Sequence, residues 1–407
     1  MNRTELLWLA PALIFLFILP FPHTVALRLT CLFVAAVIAG MRWRRLDAPP
    51  FPLKAPIILW AAVVVASLAF AVDLPYSVRE VKNELGYTLL AFGVFYVLVR
   101  DEAILRWLCL PVSLGFVVIA LSALADYAWN GRSGAWWFGT WGFYGGMGAV
   151  SGFFITAAPV VALAIYLWRP PFAAAWGAGA AVLGLGAGMI SGQRAIWPGI
   201  GAQLTVLCFW LWLGRRTTWR PRQVLGAAVL VLAVLGGGLW TSERLRTLDD
   251  PLARASMFKD LRPRVWMAIS HQLLEHPLQG AGFGQRAMVK AYPQFVPPEN
   301  PLLWHAHNLA LNYGVYAGVP GVVAILFLFI ALFVKFWRIS RSSDQTVRFV
   351  GLAGAAIVAG VFARNTFNDF FIRDGALLFW ALAGALLGYA LRRSASAPQS
   401  RETKKAA

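Results

Sequence analysis

The sequence predicts an all-α protein that crosses a membrane many times. Of its 407 residues, 59% are hydrophobic and only 13% are charged, whereas a soluble domain has about 45–50% apolar and about 25% charged residues. The apolar residues fall into long runs separated by short polar stretches, which is typical of membrane-spanning helices. This composition excludes a soluble globular enzyme, and it excludes a disordered chain, which has low hydrophobicity.

The apolar runs predict about twelve membrane spans, each near the length of about 20 residues that a bilayer requires. The fourth is short, and the first two are joined tightly through Pro20 and Pro22. No small-residue cleavage site follows the first run, so we expect a retained helix rather than a signal peptide. The predicted spans are 6–22, 24–40, 56–72, 85–99, 104–125, 144–168, 172–190, 195–213, 223–241, 308–334, 347–363 and 375–391.

The basic residues are divided unevenly between the two alternating sets of loops. The set that includes both termini holds 21 of the 36 Lys and Arg residues, the other set holds 14, and Arg28 lies within a span. Because cytoplasmic loops collect Lys and Arg, we expect both termini to be cytoplasmic. The net charge of +18 then reflects orientation, and no nucleic-acid partner is expected.

One predicted loop is far longer than the others, and loops beyond about 12–15 residues are usually functional or disordered. It lies on the outer side, between spans nine and ten. The predicted divisions of the chain are helices one to nine (1–241), the large outer loop (242–307), helices ten to twelve (308–393) and a cytoplasmic tail (394–407).

Two arginines stand at the start of a predicted helix within this loop. Arg262 and Arg264 flank Pro263, and apolar residues recur at helical spacing up to Glu275, before Pro277. Guanidinium groups bind phosphate through paired hydrogen bonds, helped by the free N–H groups of a first helical turn. The pair therefore indicates an anion site, and the alternative is a solvated pair of arginines.

The G-x-G-x-G string at Gly280, Gly282 and Gly284 superficially suggests a nucleotide-binding loop. No predicted strand precedes it and no helical pattern opens at its end, as such a loop requires. Since glycine permits backbone conformations closed to other residues, we interpret the string as a tight turn.

Two histidines, His305 and His307, precede the tenth span. Their spacing fits a metal pair, but no carboxylate lies within five residues and the loop holds no cysteine, so no metal site is expected. The three cysteines of the chain lie far apart in separate apolar runs and predict neither a disulfide nor a zinc site. A histidine suits proton transfer because its unperturbed pKa is about 6.5; the alternative is a hydrogen-bonding residue at the membrane boundary.

Arg194 lies in a short polar connector between two apolar runs. Placing an ionisable side chain within the membrane costs free energy, so such a residue is expected to have a function. The alternative is that its side chain extends to the outer headgroups. Arg194, Arg262, Arg264 and His307 all fall on the outer side. Their convergence favours a shared anion-binding cavity.

Other outer residues extend this set. Arg79 and Lys82, in an earlier outer loop, are candidates to enlarge the cation cluster. The loop 126–143 is rich in aromatic residues, which form either an interfacial belt or a platform for carbohydrate or lipid. Asn368 and Asp369 belong to a polar set in the last outer loop to which the sequence assigns no role.

The motif around His307 resembles the bacterial O-antigen ligase/polymerase superfamily of integral membrane glycosyltransferases. His307 and Asn308, followed by Gly318 and Gly321, match the ligase pattern H-N-x9-G-x-x-G. The twelve-span plan with a large, late outer loop is also similar. The resemblance is closest to lipopolysaccharide O-antigen ligases.

Three further matches support this resemblance. Arg264 with Trp266 resembles the family's R-x-W motif, and residues 277–282 resemble its P-x-x-G-x-G stretch. Arg194 matches the family's arginine after a mid-chain span. The stretch 132–146 lacks the Pro-Asn pair that many members carry.

The resemblance implies a reaction on the periplasmic side of the bacterial inner membrane. A polysaccharide carried on undecaprenyl diphosphate is moved onto a sugar hydroxyl of lipid A–core, without metal or cofactor and with inversion of the anomeric centre. The implied partners are this donor, this acceptor and membrane lipids.

We assign the catalytic roles to His307, Arg264 and Arg194. The arginines would stabilise the diphosphate leaving group, and His307 would act as general base on the acceptor hydroxyl or would orient it. The predicted substrate-binding residues are Arg262, Asn308, His305, Trp266, Arg79, Lys82 and Arg286.

Two alternatives remain open. An O-antigen polymerase of the same superfamily would use the same donor with a second lipid-linked repeat as acceptor. A transporter also suits twelve spans, but transporters commonly show two similar halves, and this sequence has no visible internal symmetry.

Overall fold

The computed structural model describes residues 3–21, 23–41, 49–130, 147–214, 221–248, 260–369 and 371–395. Within these ranges the chain is helical and forms no strand. Short 3-10 turns occur at Ser67–Phe70 and Pro293–Phe295, and a π-helical turn at Lys82–Gly86. The α-helices are α1 (Arg3–Ile18), α2 (Val25–Met41), α3 (Lys54–Ala66), α4 (Leu74–Val81), α5 (Tyr87–Leu98), α6 (Glu102–Asn130), α7 (Met147–Trp168), α8 (Ala173–Ile190), α9 (Ile196–Gly214), α10 (Pro221–Leu248), α11 (Arg262–Glu275), α12 (Ala287–Ala291), α13 (Leu309–Ile339), α14 (Gln345–Asn365) and α15 (Arg373–Ala395).

A helix lies at each of the twelve predicted spans, namely α1 to α3, α5 to α10 and α13 to α15. Among the described residues, seven helices are long and apolar enough to cross a membrane, and they lie within α6 to α9 and α13 to α15. Shorter apolar helices lie in α1, α2, α3 and the middle of α10. The polytopic α-helical class is confirmed, while the number of twelve spans, their orientation and the division into domains stay predictions.

Some predicted features lie outside the described residues. These are most of the aromatic loop, including Arg132, a part of the large outer loop (249–259), and the tail from residue 396. The helix predicted between Pro263 and Glu275 is confirmed, since α11 ends at Glu275.

Helix α14 lies at the centre of the bundle, where it packs against α7, α9 and α13. Helix α15 packs along α5, and α13 also contacts α3. Trp60 of α3 stacks on Trp380 of α15 with ring centroids 5.4 Å apart, and both side chains are fully buried. This packing sets the segment between α14 and α15 beside the start of α13.

Helix α13 is broken near its start, at Ala317 and Gly318. Gly318 has φ +67°, which favours glycine. The break removes helical hydrogen bonds, and the large outer loop replaces them. The N–H of Val319 donates to the carbonyl of Pro277 at 2.7 Å, and the N–H of Ala281 donates to the carbonyl of Val315 at 2.8 Å. The loop is therefore held in the break of α13.

Two glycines of the motifs lie where the backbone approaches too closely for a side chain. A Cβ atom on Gly280 would lie 2.2 Å from the carbonyl oxygen of Tyr316, and one on Gly321 would lie 2.1 Å from that of Tyr313. Gly282 and Gly284 have φ values of +93° and +117°. The expected use of glycine's conformational freedom is thus confirmed at Gly282 and Gly284, although the string is followed by the short helix α12.

The segment around Arg79 and Lys82, predicted as a loop between two spans, is helical. Asp73 caps α4 by accepting the N–H of Tyr76 at 3.0 Å, and the π-helical turn Lys82–Gly86 continues α4 into α5. Glu80 and Glu84 are buried on the inner side, while Arg79 and Lys82 are exposed.

Arg28, the basic residue predicted within a span, has a buried side chain that forms an ion pair with Asp374 at the start of α15. A buried charge requires such a partner, because an unpaired one is strongly destabilising. The ion pair with Asp374 therefore explains how the charge of Arg28 is buried.

Candidate functional site

The candidate site lies where the large outer loop meets the start of α13. His307 has φ +51°, which is uncommon for a residue other than glycine. Asn308 caps α13, since its Oδ1 accepts the N–H of Leu311 at 3.1 Å. Its Nδ2 donates to the carbonyl of Thr366 at 3.0 Å. Asn308 thus joins the large outer loop to the segment that follows α14.

The ring of His307 has a polar partner at each nitrogen. Nδ1 lies 2.8 Å from Oδ1 of Asn368, and Nε2 lies 3.1 Å from the carbonyl oxygen of Leu302. One face of the ring stacks on His305, with centroids 3.8 Å apart. Three contacts therefore hold the imidazole in one orientation.

His305 lies behind His307 and is only 2% exposed. Its Nδ1 accepts the backbone N–H of His307 at 3.1 Å, so this nitrogen carries no proton. Burial, with smaller contributions from His307 and Arg262, lowers the pKa of His305 well below its ordinary value. His305 is thus a neutral support for His307, and direct contact with substrate stays a prediction.

The pKa of His307 is also lowered from its ordinary value of 6.5. Burial is the largest cause, and the charge of Arg262 acts in the same direction. The hydrogen bonds to Asn368 and Leu302 and the charge of Asp369 oppose the shift. The neutral imidazole, which is the form able to accept a proton, is therefore the main form at neutral pH.

Asn368 connects His307 to the segment that carries Arg194. Its Nδ2 donates to Oε1 of Gln193 at 3.1 Å. Arg194 is the next residue, half-buried in the turn between α8 and α9. The sequence predicts that Arg194 and His307 lie on the same side. The side chain of Asn368 links the turn 191–194 to His307.

Arg364 is completely buried at the end of α14. Its guanidinium donates to Oγ of Ser151 at 2.9 Å, to Oδ1 of Asn365 at 2.8 Å and to the backbone carbonyl of Asn368. The segment that presents Asn368 is therefore anchored to α7.

The carboxyl group of Asp369 is buried beside the same cluster. It accepts hydrogen bonds from Nδ2 of Asn312 and from the N–H of Phe371 at 3.0 Å. Asn312 in turn accepts the N–H of Ala306 at 3.0 Å. Burial raises the pKa of Asp369. This second chain of hydrogen bonds also ties the histidine loop to the segment after α14.

The two arginines of α11 have different surroundings, and the charge of Arg262 acts on both histidines. Arg262 donates to the carbonyl of Phe367 at 2.9 Å. Arg264 is 63% exposed, and its nearest acid is Glu299 at 3.6 Å. Nε1 of Trp266 donates to the carbonyl of Ala306 at 2.7 Å, which docks α11 against the histidine loop.

The remaining predicted cations lie around α4. The backbone N–H of Arg286 donates to the hydroxyl of Tyr76 at 3.1 Å, and its side chain is exposed. The neighbouring Gln285 donates to the backbone carbonyl of Asp369 at 3.0 Å. Lys82 lies over the ring of Tyr87. These contacts connect the α4 region to the site through Gln285.

The chemistry of the site combines a neutral histidine with arginines on neighbouring segments. Such groups can take a proton from a hydroxyl and can stabilise an anionic leaving group. Within the described ranges, no three or more His, Cys, Asp or Glu side chains are grouped to hold a metal ion.

Comparison with known proteins finds a match for one part of the chain that contributes to this site. Residues 179–326 match a family model described as O-antigen ligase. The match places this segment in the O-antigen ligase/polymerase superfamily. The matched segment includes Arg194, Arg262, Arg264 and His307. No curated protein matches the chain significantly.

Sequence reasoning missed two contributors that lie beyond the part matched to the superfamily. From sequence, Asn368 is only a member of a polar set, and Arg364 has no assigned role. A signal was present, since an arginine, two asparagines and an aspartate fall within six residues between two apolar runs.

Proposed function

We propose that this protein is an O-antigen ligase. It would transfer a polysaccharide from undecaprenyl diphosphate to a sugar hydroxyl of lipid A–core at the periplasmic face of the bacterial inner membrane. The observation that carries the proposal is the place of His307 within the segment that matches the O-antigen ligase family, with Arg262 near enough to lower the pKa of its imidazole.

In the proposed reaction, the acceptor hydroxyl oxygen attacks the anomeric carbon of the donor sugar. The bond between that carbon and the diphosphate oxygen breaks, and undecaprenyl diphosphate leaves with the bonding electron pair. His307 takes the hydroxyl proton. Attack opposite to the leaving group inverts the anomeric centre. No metal takes part in this scheme.

The arginines supply the positive charge for the leaving group. Arg264 is available because its pair with Glu299, at 3.6 Å, is exposed and long, and such surface pairs contribute little to stability. We assign the same role to Arg194, which lies in the turn beside Gln193, and to Arg262, at the start of α11. A hydrogen bond to a charged group contributes roughly 1.5–3 kcal/mol, so contacts that strengthen in the transition state accelerate the reaction.

A deletion strain tests this proposal against the polymerase alternative. Loss of a ligase leaves long polymer unligated on its lipid carrier, whereas loss of a polymerase yields lipopolysaccharide that carries one repeat. We expect unligated long polymer, and full-length lipopolysaccharide again when the wild-type gene is returned. Single-repeat lipopolysaccharide would overturn the ligase proposal and favour a polymerase.

A further inference from the structure

The proposed function leaves one polar contact of His307 without a role, and this inference rests on that function. The side-chain amide of Asn368 lies between two partners. Its Oδ1 faces Nδ1 of His307 at 2.8 Å, and its Nδ2 donates to Oε1 of Gln193 at 3.1 Å. An amide has one accepting end and one donating end, so the two contacts use both ends.

We propose that Asn368 is a positioning residue that accepts the Nδ1 proton of His307 and thereby keeps the lone pair of the neutral ring on Nε2, the nitrogen that takes the proton of the acceptor hydroxyl. The amide oxygen can only accept. The carbonyl oxygen of Leu302 at Nε2 can also only accept, and a neutral ring has one proton to donate. We assign that proton to Nδ1 because its contact is the shorter one, 2.8 Å against 3.1 Å, and the lone pair is then on Nε2.

The backbone around Asn368 is fixed firmly enough for this task. Arg364 donates to its backbone carbonyl and is itself bound to Ser151 of α7 at 2.9 Å. Two residues earlier, the carbonyl of Thr366 accepts from Asn308 at 3.0 Å. The amide is thus held relative to the histidine loop by contacts that do not involve the histidine ring.

The second partner of the His307 ring, the carbonyl of Leu302, can stabilise the ring after it has taken the proton. The carbonyl oxygen of Leu302 lies 3.1 Å from Nε2 and can only accept. A ring protonated on both nitrogens donates to Asn368 and to Leu302 at once. Both acceptors therefore stabilise the imidazolium that forms when the acceptor hydroxyl loses its proton.

The charged and titratable groups around His307 are few. His305 stacks on it and is neutral, because its Nδ1 accepts a backbone N–H. Arg262 disfavours the imidazolium and Asp369 favours it. A fixed negative charge at residue 368 would add to the effect of Asp369. It would therefore raise the pH at which His307 loses its proton.

Asparagine-to-aspartate and asparagine-to-leucine variants test the inference, with transfer measured on reconstituted full-length protein. Asn368→Leu removes the acceptor, and we expect kcat to fall about 100-fold with KM changed less than about threefold. Asn368→Asp keeps an acceptor and cannot donate, so we expect at least a tenth of wild-type kcat and an acidic limb of the pH profile shifted upward. The matched control is Thr366→Val. Among the described residues, the hydroxyl of Thr366 donates to the carbonyls of Phe362 and Ala363 in α14, so kcat and the pH profile of this variant should be those of the wild type.

The outcomes separate the inference from the proposed function. If the wild type transfers no glycan, the ligase proposal fails and the inference with it. If the wild type is active and Asn368→Asp is as slow as Asn368→Leu, Asn368 does not act as an acceptor and the inference alone is overturned. Wild-type kcat in Asn368→Leu would overturn it equally. Should Asn368→Leu fail to fold, the pH profile of Asn368→Asp decides: an unshifted acidic limb contradicts the inference.

Discussion

His307 and Asn368 are 61 residues apart in the chain, yet Nδ1 of the one lies 2.8 Å from Oδ1 of the other. The contact joins the loop before α13 to the segment after α14. Because α13 and α14 pack against each other, their packing sets the geometry of the ring. The site therefore depends on the helix bundle as well as on the large outer loop.

The pH dependence of transfer should follow His307. Burial lowers the pKa of His307 below 6.5, and a base must be unprotonated to act. We therefore expect kcat/KM to fall only when the pH is below about 6.5. The pH profile of the reconstituted protein measures this. His271, which is exposed on α11, supplies the control, and His271→Gln should leave the profile unchanged. An acidic limb at or above pH 7 would contradict the assignment.

Removal of the guanidinium of Arg264 should slow transfer. We expect Arg264→Ala to lower kcat/KM roughly 10- to 100-fold, which corresponds to the loss of one charge-assisted hydrogen bond of about 1.5–3 kcal/mol. Arg264→Lys should recover part of this loss, because it keeps the charge without the paired donors. Glu299→Gln removes the competing acid and should not slow the reaction. Full activity in Arg264→Ala would exclude this residue from the leaving-group site.

The break in α13 should tolerate no side chain at Gly318. A Cβ atom there would lie 2.4 Å from the carbonyl oxygen of Pro277, at a φ of +67°. We expect Gly318→Ala to lower the thermal unfolding midpoint and the amount of folded protein. Gly93, with nothing within 4 Å of an added Cβ, is the matched control, and Gly93→Ala should be neutral or slightly stabilising. Equal stability of the two variants would contradict the packing described for the break.

Chelation of divalent cations should leave transfer intact. The proposed scheme neutralises the diphosphate with arginines, so EDTA added to the purified protein is expected to change kcat by less than about twofold. Transfer assays with EDTA and with added magnesium check this. Activity lost in EDTA and restored by magnesium would refute the metal-independent scheme.

The helices follow from the sequence more readily than the site does. Long apolar runs predict α-helices because a bilayer leaves few other backbone structures possible, and α6, α7 and α13 lie where those runs fall. The helical segment at α4 was missed, since its eight residues carry no long apolar run.

The contacts of the site join residues that are far apart in the chain, so a local sequence pattern does not predict them. His307 and Arg194 were found because their residue types are unusual at a membrane boundary. The pairing of Asn368 with Gln193 and His307 was not, because amides in outer loops are ordinary and their partners are distant in sequence. The role of Gly318 also required the structure, since a glycine pattern alone does not show that a loop fills a broken helix.

The central claim is that His307 is the base for glycan transfer to lipid A–core. Its most direct test is the rate of transfer from a defined polyprenyl-diphosphate glycan to lipid A–core by reconstituted wild type and His307→Ala, with matched amounts of folded protein. We expect transfer by the wild type and at least a 100-fold lower rate for the variant. Transfer by His307→Ala at the wild-type rate would contradict the account.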